Sequence, residues 1–275
     1  SMASWLSRAV CNKCYNSRKT PTPSSYWQRF RKCAVHKILF FSLTALLVGC
    51  ATPATKLHYG AAAQHSDECV VLLHGLARSS ASMQKLERAL NDAGLRTLNI
   101  GYPSTDFANA ELLERFIQPS IEKHCSPDLY RLHFVGHSMG GILSRLYILQ
   151  NSPVKLGKVV TIASPHQGSK LVDRLGWIPL FQWINGPAGY EMGVNADTLL
   201  DTLPKPDYPV LAVVGTFSSN PFYSLLIPGD DDGKVSVQSA SLVGAEEVLD
   251  VPYSHTFIMQ RDEVVEAVVG FLLGE

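Results

Sequence analysis

The chain lacks an apolar run that could span a bilayer. Residues 38–49 (ILFFSLTALLVG) are twelve uncharged residues, whereas a membrane-crossing helix needs about 20. Acidic residues are missing from one end. Residues 1–50 hold 8 of the 24 Lys and Arg and none of the 24 Asp and Glu, so the zero net charge hides a balance of −8 over residues 51–275. An acidic globular part offers no basic face to a phosphate backbone, which excludes nucleic acid as a partner. Cysteine is scarce where a fold would lie: four of the six (Cys11, Cys14, Cys33, Cys50) fall in the first fifty residues, leaving Cys69 and Cys125. Cys11 and Cys14 have the spacing of half a zinc site, but a lone Cys33 does not complete it. The acidic run Asp230-Asp231-Asp232 lacks the alternation and closing Glu of a calcium loop. No metal and no organic cofactor is expected. There is no internal repeat. With 46% apolar, 9% aromatic and 17% charged residues, the chain has the material for one core, at most two, and is neither disordered nor fibrous.

The apolar run has the length of a secretory signal's core, with His36 and Lys37 as its basic flank. It ends in Leu47-Val48-Gly49-Cys50, which resembles the lipobox of bacterial lipoproteins. The resemblance implies that Cys50 is lipidated as the mature N-terminus and anchors the protein at a membrane surface without spanning it. Ala51, in place of an Asp after the Cys, points to an outer-membrane lipoprotein of the bacterial cell envelope, facing periplasm or exterior. Residues 1–34 are long, basic and rich in Ser, Pro and aromatics. They read as a vector remnant or an upstream extension; if translation starts at Val35, the signal is a compact sixteen residues ending at Cys50. Residues 51–66 read as a tether.

From residue 67 onward, strand-like and helix-like segments alternate. Strands are expected at 69–73, 95–102, 131–135, 158–163, 208–215 and 247–251, and helices at 82–93, 112–124, 141–150 and 263–273. Aliphatic runs such as VVLL and VLAVV belong to strands covered on both faces. The expected fold class is therefore α/β, a doubly wound, mostly parallel sheet of about six strands over residues 67–275. An insertion at 166–207, rich in Gly, Pro and aromatics, breaks the rhythm. It reads as an ordered cap, with Trp177, Phe181 and Trp183 as acyl-pocket candidates, or as an extra packing helix with no part in binding.

Gly136-His137-Ser138-Met139-Gly140 follows an apolar strand and precedes a helical pattern. This is G-x-S-x-G in the context that motif requires: the strand turns sharply into a helix and lifts the serine to the sheet's carboxyl edge. The segments VVLLHGLARSS (70–80), HFVGHSMGG (133–141), VVTIASPHQGS (159–169), DGKVSVQSA (232–240) and SHTFIM (254–259), in that order, resemble bacterial lipases and esterases of the α/β-hydrolase fold. A serine becomes a nucleophile when a base takes its proton. In this fold the chain order is Ser, acid, His. Of nine His, only His166 and His255 follow Ser138, and only His255 lies beyond the Asp cluster. His166 then shapes the pocket wall or the hinge of the insertion. Asp232, which precedes Gly233 as the matching Asp does in those lipases, is the acid, with Asp231 next and Asp173 a distant alternative. The resemblance assigns the oxyanion donors to the backbone N–H of Leu76 and Met139, with Arg78 structural or rim-facing. In this fold the strands near Cys69 and Cys125 are neighbours, and an exported protein meets an oxidising compartment, so a Cys69–Cys125 disulfide is expected, two buried thiols being the alternative.

The expected activity is hydrolysis of an ester or lipid substrate through an acyl-enzyme on Ser138. The alternatives are an acyltransferase with the same triad, a peptidase or thioesterase, and a membrane-anchored binding or assembly factor without activity. Acyl length and oligomeric state are left open by the sequence.

Overall fold

The central strands are near-unbroken aliphatic runs, and burial on both faces follows from that. The computed structural model describes residues 56–58, 65–125, 131–193 and 199–275. The proposed lipobox with Cys50, the extension at 1–34 and most of the 51–66 segment lie outside the described residues. Among the described residues no helix is long and apolar enough to cross a membrane.

In chain order the elements are β1 (Lys56–His58), β2 (His65–Leu73), α1 (Gln84–Asp92), β3 (Leu95–Ile100), α2 (Asn109–Leu112), α3 (Gln118–His124), β4 (Arg131–His137), α4 (Met139–Asn151), β5 (Leu156–Ile162), α5 (Lys170–Leu175), α6 (Pro179–Tyr190), β6 (Val210–Gly215), α7 (Pro221–Ser224), α8 (Val237–Ala240), β7 (Glu247–Val251) and α9 (Asp262–Leu273). They form a 7-stranded sheet of order β1-β3-β2-β4-β5-β6-β7. Strands β2 to β7 pair in parallel, and β1 is antiparallel to β3. About six strands were expected, and β2 to β7 are those six; within the stretch read as a tether, Lys56–His58 adds β1 and residues 65–66 begin β2. A three-residue strand is too short to show a period, yet it pairs the edge backbone groups that β3 would otherwise leave open. The helix expected at 112–124 is interrupted by a π turn at Leu113–Ile117, next to Pro119, which has no N–H for the helical ladder.

The period of two divides the core. Val71, Leu73 and Phe134 face one side, packed by Leu112, Ile117, Ile142 and Leu146 of α2, the π turn and α4. Val70, Leu72 and Val135 face the other, packed by Leu86 and Leu90 of α1 and by Val264 and Val268 of α9. Neighbouring strands β2 and β4 therefore send their following helices to opposite faces. The loops after them part to opposite faces, and the crevice between is where ligands sit in open parallel sheets.

Three buried histidines brace the loops at this edge. His74 Nε2 accepts from Tyr102 N at 3.3 Å, its Nδ1–H donates to Gly75 O at 2.9 Å, and its ring stacks on Tyr102. Burial lowers its pKa from 6.5 to about 4. His137 Nε2–H donates to His255 O at 3.0 Å, and burial, then the nearby His255, push its pKa well down. His166 Nδ1 accepts from Arg145 at 3.1 Å and its Nε2 meets Thr161 Oγ1 at 3.1 Å; burial, then Arg145, push it well down too.

Cys69, in β2, is bonded to Cys125, just past α3, with Cα atoms 6.0 Å apart and a sequence separation of 56. Closing such a loop is worth roughly 2–4 kcal/mol. A Cys69→Ser, Cys125→Ser double variant should lose about that much in urea melts, and an unchanged midpoint would show that the bond contributes nothing. The histidines set the acid limit. Unfolded, each takes a proton near 6.5; folded, each resists until lower pH, so the unfolded chain binds more protons and stability falls as pH drops below about 6.5. His74 alone accounts for about 3 kcal/mol by the time pH falls to its folded value. The urea midpoint should therefore decline between about pH 7 and about pH 4.5, with a shallower decline in His74→Gln. A midpoint that stays flat over that range contradicts the assignment.

Candidate active site

Ser138 sits between β4 and α4 with φ 54° and ψ −122°. A non-glycine backbone there costs on the order of 1–3 kcal/mol and persists only where its surroundings enforce it. Ser138 N donates to Ile162 O at 2.8 Å, and Ser138 O accepts from Gly141 N at 3.0 Å. The flanking glycines let the chain close on itself: a Cβ on Gly140 would lie 2.1 Å from Leu73 O, and one on Gly136 2.4 Å from the Gly140 carbonyl carbon.

The structure brings the three sequence-predicted side chains together. Ser138 Oγ is 3.0 Å from His255 Nε2, and His255 Nδ1 is 2.7 Å from Asp232 Oδ2. With Nδ1–H donating to the carboxylate, Nε2 is free to accept the serine proton. Asp232 is held by its other oxygen, which accepts from Lys234 N at 2.9 Å and Val235 N at 2.8 Å, while its carbonyl accepts from His255 N at 2.9 Å. The neighbouring acids go elsewhere. Asp231 accepts from Gly233 N at 2.6 Å and Ser224 Oγ at 3.0 Å, tying α7 to the acid loop. Asp230 is exposed, and Asp173 pairs with Lys170 at 3.8 Å, so neither Asp231 nor Asp173 serves His255. His166 braces the root of the insertion from beneath and does not line the cavity.

The loop after β2 passes beside the serine: a Cβ on Gly75 would lie 3.1 Å from Ser138 Cβ. Leu76 and Met139 both border the cavity at Ser138. Met139 is the first residue of α4, where the backbone N–H has no partner within the helix. A free N–H at the start of α4 suits a developing oxyanion. Among the described residues no group of three His, Cys, Asp or Glu is arranged to hold a metal ion.

The cavity holds about 280 Å³ and is walled by Leu76, Val172, Phe181, Ile184, Met192 and Val235. Of the three aromatic candidates it takes Phe181 alone. Trp177 and Trp183 are 75% and 59% exposed and do not line it, which corrects the expectation. The reason is helical geometry. On α6, Ile184 and Asn185 share a face with Phe181, whereas Trp183 points to the far side. Trp177 lies before the helix and donates its indole N–H to Arg174 O at 2.9 Å. Sequence reasoning missed Tyr223 and Val235 as wall residues, and also the cap's anchor. Asn109 donates from its side chain to Glu191 Oε2 at 2.7 Å and to Ala188 O at 3.2 Å. Gly186 breaks α6 at φ 65°, with Thr105 O where a Cβ would stand. No local pattern signals a contact that joins residues so far apart.

A family model described as palmitoyl protein thioesterase matches residues 69–199, a little under half of the chain, including Leu76 and Ser138 but not Asp232 or His255. No curated protein matches the chain significantly. Among solved structures, it is similar to a Bacillus licheniformis lipase in its mature form (18% identity over 80% of this chain and 98% of that one, TM-score 0.61). It is also similar to a monoacylglycerol lipase of Paleococcus ferrophilus (19%, 80% and 99%, TM-score 0.52) and an esterase of Exiguobacterium antarcticum (16%, 80% and 94%, TM-score 0.54). At such identities the likeness is one of architecture, and with the sheet order and crossover helices above it establishes that the chain has the α/β-hydrolase fold.

Proposed function

We propose that the protein is a serine hydrolase that cleaves carboxylic esters of apolar acyl groups. The observation that carries this reading is the aligned relay of Ser138 Oγ, His255 and Asp232, with contacts of 3.0 and 2.7 Å, at the mouth of an apolar cavity. Ser138 attacks the acyl carbonyl as His255 takes its proton, and Asp232 orients and stabilises the imidazolium. The Leu76 and Met139 N–H groups hold the oxyanion. His255 then protonates the leaving group, and water, deprotonated by the same imidazole, releases the acid from Ser138.

Apolar surface continues outward from the cavity. Phe222 and Leu225, beside the wall residue Tyr223, are exposed. A rim of this kind favours an acyl chain delivered from a lipid or micelle. A second reading, a thioesterase, is favoured by the family model over residues 69–199. The same triad serves both, because the attack is on the same carbonyl and only the leaving atom differs. The lipobox reading places the domain at the bacterial envelope, with lipid on Cys50 only six residues before β1. The Cys69–Cys125 disulfide suits that oxidising compartment.

Ser138→Ala should lower kcat/KM on p-nitrophenyl esters by about 10⁴-fold or more and abolish labelling by a fluorophosphonate probe. Labelling that survives the substitution would remove Ser138 from the chemistry. Across esters of graded length, each methylene seated on the apolar wall is worth up to about 0.8 kcal/mol, so rates should rise from acetate to medium chains. A preference for acetate would leave a hydrolase but not a lipase. Matched acyl oxygen esters and thioesters, compared by kcat/KM, separate the two readings. Mass spectrometry of the mature N-terminus should find lipid on Cys50, and an unmodified cysteine there would take the anchor out of the reading.

A further inference from the structure

The cavity is not apolar all round. Phe181, Val172 and Met192 form one wall, but Arg78 and Lys234 line the same space together with His255 and Thr256. Both cations are placed by the catalytic loops. Arg78 lies two residues past the oxyanion residue Leu76. Its Nη2 donates to Thr256 O at 2.6 Å, and its guanidinium lies over Phe257, 5.4 Å from the ring centre. Its Nε is buried with no hydrogen-bond partner among the described residues. Lys234 follows Asp232-Gly233, and its backbone N–H is fixed by Asp232 Oδ1. Among the described residues neither side chain has a carboxylate within ion-pair distance, although residues 51–275 carry 24 acidic against 16 basic groups. Asp232, whose charge acts on Lys234, is committed to His255 and to two backbone donors. Lys234 is exposed at the cavity's edge; the protein packed around its ammonium, then the like charge of Arg78, lowers its pKa, and Asp232 only partly opposes this. Two cations that repel each other across a cavity are a site for an anion.

Which part of the substrate meets them follows from the proton transfer. His255 must reach the leaving atom to protonate it, so the leaving group lies on the His255 side, and the acyl chain lies against the apolar wall. Resting on the serine-hydrolase reading, we propose that the leaving group carries an anion, such as a phosphate, sulfonate or carboxylate, that Arg78 and Lys234 bind. The preferred substrate class is then an anionic acyl ester, in place of a neutral glyceride.

The test reads binding and turnover separately. On Ser138→Ala, calorimetry should show octyl phosphate binding at least about tenfold more tightly than octanol, with high salt shrinking the difference. Equal binding of the two overturns the proposal whether or not the enzyme turns over. In wild type, kcat/KM should be higher for 4-nitro-3-(octanoyloxy)benzoate than for 4-nitrophenyl octanoate. It should likewise be higher for 1-oleoyl lysophosphatidylglycerol than for monooleoylglycerol. A preference confined to the soluble pair or to the lipid pair identifies the source of the anion. Arg78→Gln and Lys234→Gln should each lower the anionic-to-neutral ratio by about tenfold, and Arg78→Lys and Lys234→Arg should keep much of it. A ratio untouched by both neutral variants overturns the proposal. Turnover of the neutral esters that depends on Ser138, with no anion preference, defeats the subsite and leaves the hydrolase. Turnover that survives Ser138→Ala defeats the hydrolase reading, while calorimetry still decides the subsite.

Discussion

Everything at this site depends on one residue being held where its backbone does not want to be. Ser138 stands at φ 54° because β4 must end and α4 begin within a single residue. The conformation is enforced on three sides: β5 takes the Ser138 N–H through Ile162 O, the first turn of α4 takes its carbonyl, and Gly136 and Gly140 pack too closely to leave room for a Cβ. The strain is offset by the two apolar layers that fix β2, β4 and β5 in parallel register. The core thus holds an oxygen at a defined point above the sheet edge, and the reaction needs that point fixed to within about half an ångström.

The imidazole needs equal restraint but comes from a loop. His255 is bound by its side chain to Asp232, by its N–H to Asp232 O, and by its carbonyl to His137. His137 is the residue before the nucleophile, so the base is tied to the strand that carries the serine. His137 can donate from Nε2 only as long as that nitrogen keeps its proton, which holds for the neutral ring that burial enforces. The cap is tied in as well. Ser169, which precedes α5, donates to Lys234 O, and Ser239 donates to Gly168 O. The root of the insertion and the acid loop therefore move together, and the pocket wall keeps its distance from the catalytic groups.

How much of this was legible in sequence depends on how far apart the interacting residues lie. Buried parallel strands show as aliphatic runs such as VVLL and VLAVV, and the elbow shows as glycines around one serine, because both are local. Asp232 and His255 are readable through chain order and the turn that follows the acid, although their meeting with Ser138 spans more than ninety residues. β1 escaped because a three-residue edge strand carries no period. Trp177 and Trp183 misled because aromatic content says that a cap is apolar and says nothing about which face turns inward. That is set by the packing of Gly186 on Thr105 and by the Asn109–Glu191 contact, neither of which has a local signature. The sequence ranks Asp231 next after Asp232, and the structure shows why it is not the acid: Ser224 and Gly233 occupy it.

Polarity around Ser138 has a direction, and direction constrains chemistry. On the proposed reading, an apolar wall on one side and His255 with two cations on the other would let an amphiphilic ester enter in one orientation only, since reversal would bury its polar end against Phe181 and Val172 and leave the acyl chain between charges. Burying a charge unpaired costs several kcal/mol, far more than an incorrectly placed methylene loses. Polar mismatch therefore selects orientation more sharply than shape does. Once the acyl chain fills the cavity and displaces water, the fixed N–H groups and the imidazole act in a medium of lower dielectric, where each is worth more at the developing oxyanion. On the proposed reading the apolar wall serves catalysis as well as binding, because drying the site would strengthen the donors proposed at Leu76 and Met139.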